Sequence, residues 1–260
     1  MEKTTQEMKF SALLDEAIKS PGIIGKYYSA FHRYSIGNQF AAIIQCIIQG
    51  IEIGPLASFM AWKEKGRSVK KGSKAIELCM PVAKKVAKEN KETGEAEELT
   101  FQRFLWKRNW FVLSQTEGAE YVEEAASPAW NADKALSELS ITRTAFDMLD
   151  GNCQGFARER AIAINPLAAF PLKTTIHEIA HIVLGHTAEA QMADDERTPR
   201  NLREVEAEGV AYILTDMLSL PGKDESRGYI QNWLKDEAIP EKSAQKIFAI
   251  ADKIYKAGHC

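Results

Sequence analysis

The sequence predicts an α+β protein of two domains, residues 1–125 and 126–260. Apolar residues recur at helical spacing near both ends of the chain, two β-prone runs lie between them, and the composition changes at Glu117–Pro128. The first domain is expected to be helices with a small antiparallel sheet. The second is expected to be mainly helical.

Phe10, Leu13, Leu14 and Ile18 repeat at three- and four-residue intervals, and Pro21-Gly22 stops that helix. A second helix runs from Ser35 through Phe40, Ile43, Ile44 and Ile47 to Gly50. Gly54-Pro55 breaks the chain, and a third helix is expected over Ala57–Lys65. Ala75–Val82 and Leu99–Ser114 read as strands rich in β-branched and aromatic residues. Between them Lys84–Glu98 is almost wholly polar and is expected to lack regular structure, as a solvated hairpin loop or an insert. After the boundary, a helix is expected over Ala135–Leu149 and a strand over Gly155–Asn165. Three further helices are expected at Leu172–Leu184, Arg203–Leu218 and Ala244–Lys256.

A 260-residue chain with 45% hydrophobic and 27% charged residues can bury a core of ordinary size. The longest apolar stretch, Phe40–Ile48, contains Gln45 and falls far short of the ~20 residues of a membrane span. No apolar segment with a cleavage site follows Met1, and Cys46, Cys79, Cys153 and Cys260 form no CxxC pair. A cytoplasmic protein with reduced thiols and no membrane partner is therefore expected. The net charge of −3 is unevenly distributed. Residues 1–125 carry 18 Lys and Arg against 16 Asp and Glu, or +2, which leaves −5 for residues 126–260. Such a split suggests two separate tasks.

The clearest chemical signal is His177-Glu178-Ile179-Ala180-His181. On a helix, positions i and i+4 lie on one face about 6 Å apart, so both imidazoles reach one metal ion. Glu178 between them is then placed to take a proton from water, as the catalytic base of a Zn²⁺ hydrolase. Such a site needs a third protein ligand. The run Arg203-Glu204-Val205-Glu206-Ala207-Glu208 offers three carboxylates on an apolar helix, where burial is costly unless they pair or bind metal. Glu204 is the first choice as ligand, with Glu206 and Glu208 as alternatives. Glu208, one turn from Glu204, suits a carboxylate that holds a ligand histidine from behind. His186 lies off the ligand face and is expected to cap the helix or meet solvent. His186, Tyr212 and Arg203 are conceivable donors to an oxyanion.

His177–Gly185, followed by Glu204-x-Glu206-Ala207-x-x-x-Ala211, resembles the ImmA/IrrE-type zinc metallopeptidases. The resemblance implies a zincin-like domain with Glu204 as third zinc ligand, a protein or peptide substrate, and an edge strand before the HExxH helix, in the slot of Ala161–Asn165. The other half adds a second resemblance. Tyr34-Ser35-x-x-Asn38, the string Trp62-Lys63-x-Lys65-Gly66-Arg67-x-Val69-Lys70-Lys71-Gly72-x-Lys74-Ala75-Ile76, Pro81, and Phe111-Val112-x-Ser114-Gln115-Thr116 are similar to the single-stranded-DNA-binding domain of ArdC-type antirestriction proteins. That family joins this domain to a metallopeptidase-like one, so the two resemblances together span nearly the whole chain. They imply protection of incoming plasmid or conjugative DNA. The Trp-Thr-Gly that commonly follows HExxH in plasmid ArdC proteins is absent here.

Charge gives partial independent support. Nine basic residues against two acids lie between Lys63 and Lys88, and Arg103, Lys107 and Arg108 stand in a run with Phe101, Phe104, Trp106 and Trp110. Cations track phosphates and aromatic faces stack unpaired bases. The expected single-stranded-DNA contacts are Asn38, Trp62, Lys63, Arg67, Lys70, Lys71, Lys74, Arg103, Lys107 and Arg108. A regulatory protease that cleaves a repressor, and a DNA-binding protein with a purely structural zinc, are the rival readings.

Overall fold

The computed structural model describes residues 8–89, 96–122, 126–148, 152–189, 198–233 and 237–260. The fold is mixed α+β, and the chain divides into two compact units. One is Met1–Phe40 with Glu124–Cys260; the other is Ala41–Glu123. The division at 123/124 lies beside the expected 125/126, but the first forty residues group with the C-terminal half.

Helix α1 (Phe10–Lys19) buries Leu13, Leu14, Ala17 and Ile18, the face its spacing predicts. Its first two free N–H groups, on Phe10 and Ser11, donate to the Glu241 carboxylate at 3.0 and 2.9 Å. Helix α2 (Ile23–Phe31) is not foreseen by the spacing, because Pro21-Gly22 reads as a stop. Gly22 turns the chain with φ 84°, and its N–H is held 2.7 Å from both Asp216 oxygens, so a second helix starts at once. Helix α3 (Ile36–Gln49) follows, and the division between the units falls within it.

In the unit Ala41–Glu123, the helix expected over Ala57–Lys65 is instead strand β1 (Leu56–Ser58) followed by α4 (Phe59–Glu64). Ser58 decides the switch: its side chain accepts from the Ala61 N–H and caps a helix that cannot begin earlier. Strands β2 (Arg67–Val69), β3 (Ile76–Glu89) and β4 (Ala96–Val112), a 3-10 turn (Leu113–Gln115) and β5 (Thr116–Gly118) complete the unit. The sheet order is β1-β4-β3, all antiparallel, and β2 pairs antiparallel with β5. The expectation for Lys84–Glu98 needs correction. Pairing continues through Lys84↔Phe101 to Glu89↔Ala96, because the ladder is made of backbone hydrogen bonds that polar residues form as well as apolar ones; residues 90–95 lie outside the described ones. At the bulge between Ile76 and Glu77, the Gln45 amide takes both backbone groups of Glu77, accepting at 2.8 Å and donating at 2.7 Å.

The other unit continues with α5 (Ala132–Glu138), β6 (Thr142–Arg143), β7 (Gly155–Arg158) and β8 (Ala161–Ile164). The helix expected over Ala135–Leu149 starts earlier, at Ala132, and ends at Glu138 after about two turns, since Ser140 takes φ 54° and Thr142 joins a sheet. The strand expected over Gly155–Asn165 is a hairpin, turned at Glu159 with φ 49°. The sheet order is β6-β8-β7. Ala161–Ile164, the slot expected at the edge, is the central strand, and the edges are β6 and β7.

Helices α6 (Pro171–Leu184), α7 (His186–Glu189), α8 (Arg200–Met217), α9 (Lys223–Trp233) and α10 (Glu241–Gly258) complete the chain. Helix α8 is buried from Val205 to Met217, packed by α2, α6, α9 and α10. Its middle, residues 209–214, carries no charged side chain on any face and so belongs in a core, and the helix carries the acidic run of the site at its N-terminal end.

Candidate metal centre

Helix α6 opens at Pro171, and its apolar side, Ile176, Ile179, Ala180 and Ile182, is buried. His177 and His181 share the remaining face, with their Nε2 atoms 3.1 Å apart. Glu204, in the first turns of α8, brings Oε2 to 3.7 Å from His177 Nε2 and 3.5 Å from His181 Nε2. Ligand atoms about 2.0–2.2 Å from a tetrahedral zinc ion stand roughly 3.3–3.5 Å from each other. The three donors fit that edge length, and two imidazoles with one carboxylate are a donor set for a divalent transition metal. Among the described residues this is the group of His, Cys, Asp and Glu side chains arranged to hold an ion.

Electrostatics follow from the convergence. Burial alone lowers the His177 pKa, but the adjoining Glu204 and Glu208 carboxylates overcome it and raise the value to about 9. The same contacts with His177 and His181 hold Glu204 far below the ordinary carboxylate range. Glu208 Oε2 lies 2.6 Å from His177 Nδ1, and its other oxygen pairs with Lys173 Nζ at 2.6 Å. Burial opposes ionisation of Glu208, yet His177 and Lys173 bring its pKa down to about 2.

Glu178 lines a cleft of about 1210 Å³ together with His177, His181, Arg203 and Tyr229. This exceeds the ~300–1,000 Å³ of small-molecule sites and suits an extended chain. Burial raises the Glu178 pKa, with the two histidines partly offsetting it, which is the direction a base acting near neutrality needs. Gly155 lets β7 come this close. A Cβ there would stand 2.8 Å from Thr174 Cγ2 and 3.2 Å from Glu178 Oε1.

Of the conceivable oxyanion donors, Tyr212 is excluded: it is buried and its hydroxyl donates to Ala17 O at 2.9 Å. His186 is neither a cap nor solvated. It is 3% exposed, 3.0 Å from His181 Nδ1 and 3.0 Å from Glu206 Oε2.

The expected DNA contacts separate into groups. Trp62 is corrected: its ring is 1% exposed and its Nε1 donates to Phe111 O at 2.7 Å, so it belongs to the core and offers no face to a base. Asn38 is also buried, at 7% exposure, and presents no open surface. Arg67 is spent on Thr116 and Ala119, Lys70 donates to Ser114 O at 2.9 Å, and Arg108 lies 3.6 Å from Glu77. Lys63, Lys71, Lys74, Arg103 and Lys107 are exposed. Alternation along β4 puts Phe104, Trp106 and Arg108 on one face, and Arg103, Leu105 and Lys107 on the other. Phe104 is 64% exposed.

Residues 16–110 match the family model of the N-terminal domain of anti-restriction factor ArdC, a span that takes in parts of both units. No curated protein sequence matches. Two crystal structures of the antirestriction protein ArdC from the R388 plasmid superpose with a TM-score of 0.55. The metal-free one is 20% identical and the Mn(II)-bound one 18%, each covering 95% of this chain and 97% of that one. The chain has the ArdC fold.

Within this ArdC fold, α6 and α8 bring His177, Glu178, His181, Glu204 and Glu208 to one cleft, and helical spacing in the sequence already puts each pair on one face. The roles of His186 and Glu206 are not legible from spacing, and Lys173 is not among the residues expected at the site. Lys173 lies one turn before His177 on the same helix face, which is the signal that points to it. His186 carries no such signal, because it reaches the site through the left-handed turn at Gly185, φ 88°. Among the described residues no helix is long and apolar enough to cross a membrane.

Proposed function

We propose that the chain is an antirestriction protein that binds single-stranded DNA through its β3–β4 region and hydrolyses a peptide at a zinc centre formed by His177, His181 and Glu204. The convergence of those three donors beside the buried Glu178, in a chain with the ArdC fold, carries the reading.

A bound zinc ion would be held by His177, His181 and Glu204 and would supply Lewis acidity there. His177 and His181 present Nε2 to it, and Glu204 supplies one carboxylate oxygen. Glu178 takes the proton of the attacking water on its carboxylate and passes it to the leaving amine nitrogen. Arg203 and Tyr229 line the cleft and have polar groups that can meet the substrate backbone. The exposed cations Lys63, Lys71, Lys74, Arg103 and Lys107 suit phosphates, and exposed Phe104 suits an unpaired base.

Fluorescence anisotropy with a labelled single-stranded oligonucleotide, competed by unlabelled duplex at two salt concentrations, tests the DNA part. Salt-sensitive binding that favours the single strand supports it; no binding at low salt refutes it. For the zinc part, bound metal is measured by elemental analysis, and proteolysis is compared between wild type and Glu178→Gln. The variant is expected to keep its zinc and lose cleavage, and equal cleavage by both removes the assigned base.

A further inference from the structure

We infer that His186 and Glu206 form a positioning relay that fixes the tautomer of His181 and aims its Nε2 lone pair at the metal position. The inference rests on the zinc-site reading above and extends it to two residues that touch neither metal nor substrate.

The geometry has one self-consistent proton arrangement for a ligating His181. A histidine that ligates through Nε2 must be neutral and carry its proton on Nδ1. His181 Nδ1 faces His186 Nδ1 at 3.0 Å, so His181 donates and His186 accepts. His186 then carries its own proton on Nε2, which faces Glu206 Oε2 at 3.0 Å. An ionised carboxylate can only accept. Glu206 therefore sets the direction of both bonds.

Reversing the chain shows why the carboxylate matters. If His186 carried its proton on Nδ1, it would donate to His181, and the His181 proton would sit on Nε2, where the metal must bind. Glu206 disfavours that state because it would leave two acceptors, the carboxylate and His186 Nε2, facing each other.

Burial makes the bias effective. His186 is 3% exposed and Glu206 fully buried, so water does not substitute for either partner. The assembly is also held from outside. Lys246 Nζ stands 3.8 Å from Glu206 Oε1, and Arg203 Nη1 donates to His186 O at 3.4 Å. Gly185, in the left-handed region, turns the chain after α6 so that His186 folds back beneath His181. The two zinc histidines are thus supported differently. His177 meets a carboxylate directly at Glu208, whereas His181 meets one through a second imidazole.

Zinc affinity of the full chain, measured by competition against a chromophoric chelator, tests the relay. His186→Phe removes the acceptor and is expected to weaken zinc binding by about 10–100-fold. His186→Asn places Oδ1 near the lost Nδ1 and should recover much of that loss; Glu206→Gln, which can point either an oxygen or an amide at His186, should fall between wild type and His186→Phe. Equal affinity in wild type and a folded His186→Phe overturns the relay, as does His186→Asn binding as weakly as His186→Phe. Should His186→Phe not fold, ¹⁵N-histidine NMR of the native metal-free and zinc-loaded protein decides. A zinc-loaded His181 protonated on Nδ1, with His186 protonated on Nε2, is expected; His186 protonated on Nδ1 overturns the relay. Failure of the wild-type protein to bind zinc overturns the site reading itself and the relay with it, which separates the two failures.

Discussion

Glu208 Oε2 stands 2.6 Å from His177 Nδ1, on the opposite edge of the ring from the Nε2 that meets His181 and Glu204. The same carboxylate is held by Lys173 at 2.6 Å, so its orientation does not depend on the histidine. A carboxylate fixed in this way orients the ring and raises its basicity as a ligand. Glu208→Gln keeps the shape and removes the charge. Zinc affinity by chelator competition should fall by about 10-fold or more, with Lys173→Met giving a smaller loss. Unchanged affinity in Glu208→Gln would show that the contact only packs the ring.

The two groups of expected DNA contacts should separate by experiment. Joint replacement of Lys71, Lys74, Arg103 and Lys107 by Gln removes exposed cations without touching the core. It should weaken single-strand binding and reduce the slope of log affinity against log salt by about 0.7 per lost phosphate contact. Trp62→Phe should lower the melting temperature, because it removes a buried ring edge and the bond to Phe111 O, and leave oligonucleotide affinity of the folded protein unchanged. A large affinity loss in Trp62→Phe with normal stability would return that ring to the DNA surface.

Glu241 links α10 to the first turn of α1, accepting from the N–H groups of Phe10 and Ser11. Partial burial raises its pKa, but these bonds outweigh it and the net shift is downward. A depressed folded-state pKa means a stabilising contribution that is full above the unfolded value near 4.5 and lost as pH falls through the folded value. Urea titrations of wild type and Glu241→Gln should therefore differ at pH 7 and converge as the pH falls below the unfolded value and on through the depressed folded one. A gap that does not narrow at all as the pH falls would mean that the charge is not what ties the helices.

Burial pushes the Cys46 thiol up to about 12, whereas Cys260 is exposed. Since the thiolate is the nucleophile, iodoacetamide at pH 8 should label Cys260 in the native protein and spare Cys46 until the chain is unfolded. Peptide mapping by mass spectrometry reads this directly. Prompt native labelling of Cys46 would show that α3 opens far more readily than its packing implies.

Much of the site was legible because it depends on local spacing. His177 and His181 lie four residues apart on a helix, as do Glu204 and Glu208, so periodicity alone puts each pair on one face. The apolar residues around both pairs say that those helices are buried. Secondary structure failed where a single polar contact overrode composition. Ser58 capped a helix two residues late, Gly22 started one where a stop was read, and backbone pairing carried β3 and β4 through a polar run.

The sequence by itself determined the mixed α+β class, the helix of the metal motif, and the carboxylates available to it, because these follow from side-chain periodicity within single elements. Tertiary structure decided which residues meet from different elements. It sent Trp62 inward, split the basic residues of β4 between two sheet faces, and folded His186 back onto His181 and Glu206. Those outcomes turn on a left-handed glycine and on contacts between residues 20 or more positions apart, which depend on the packing of whole elements rather than on the spacing within any one of them.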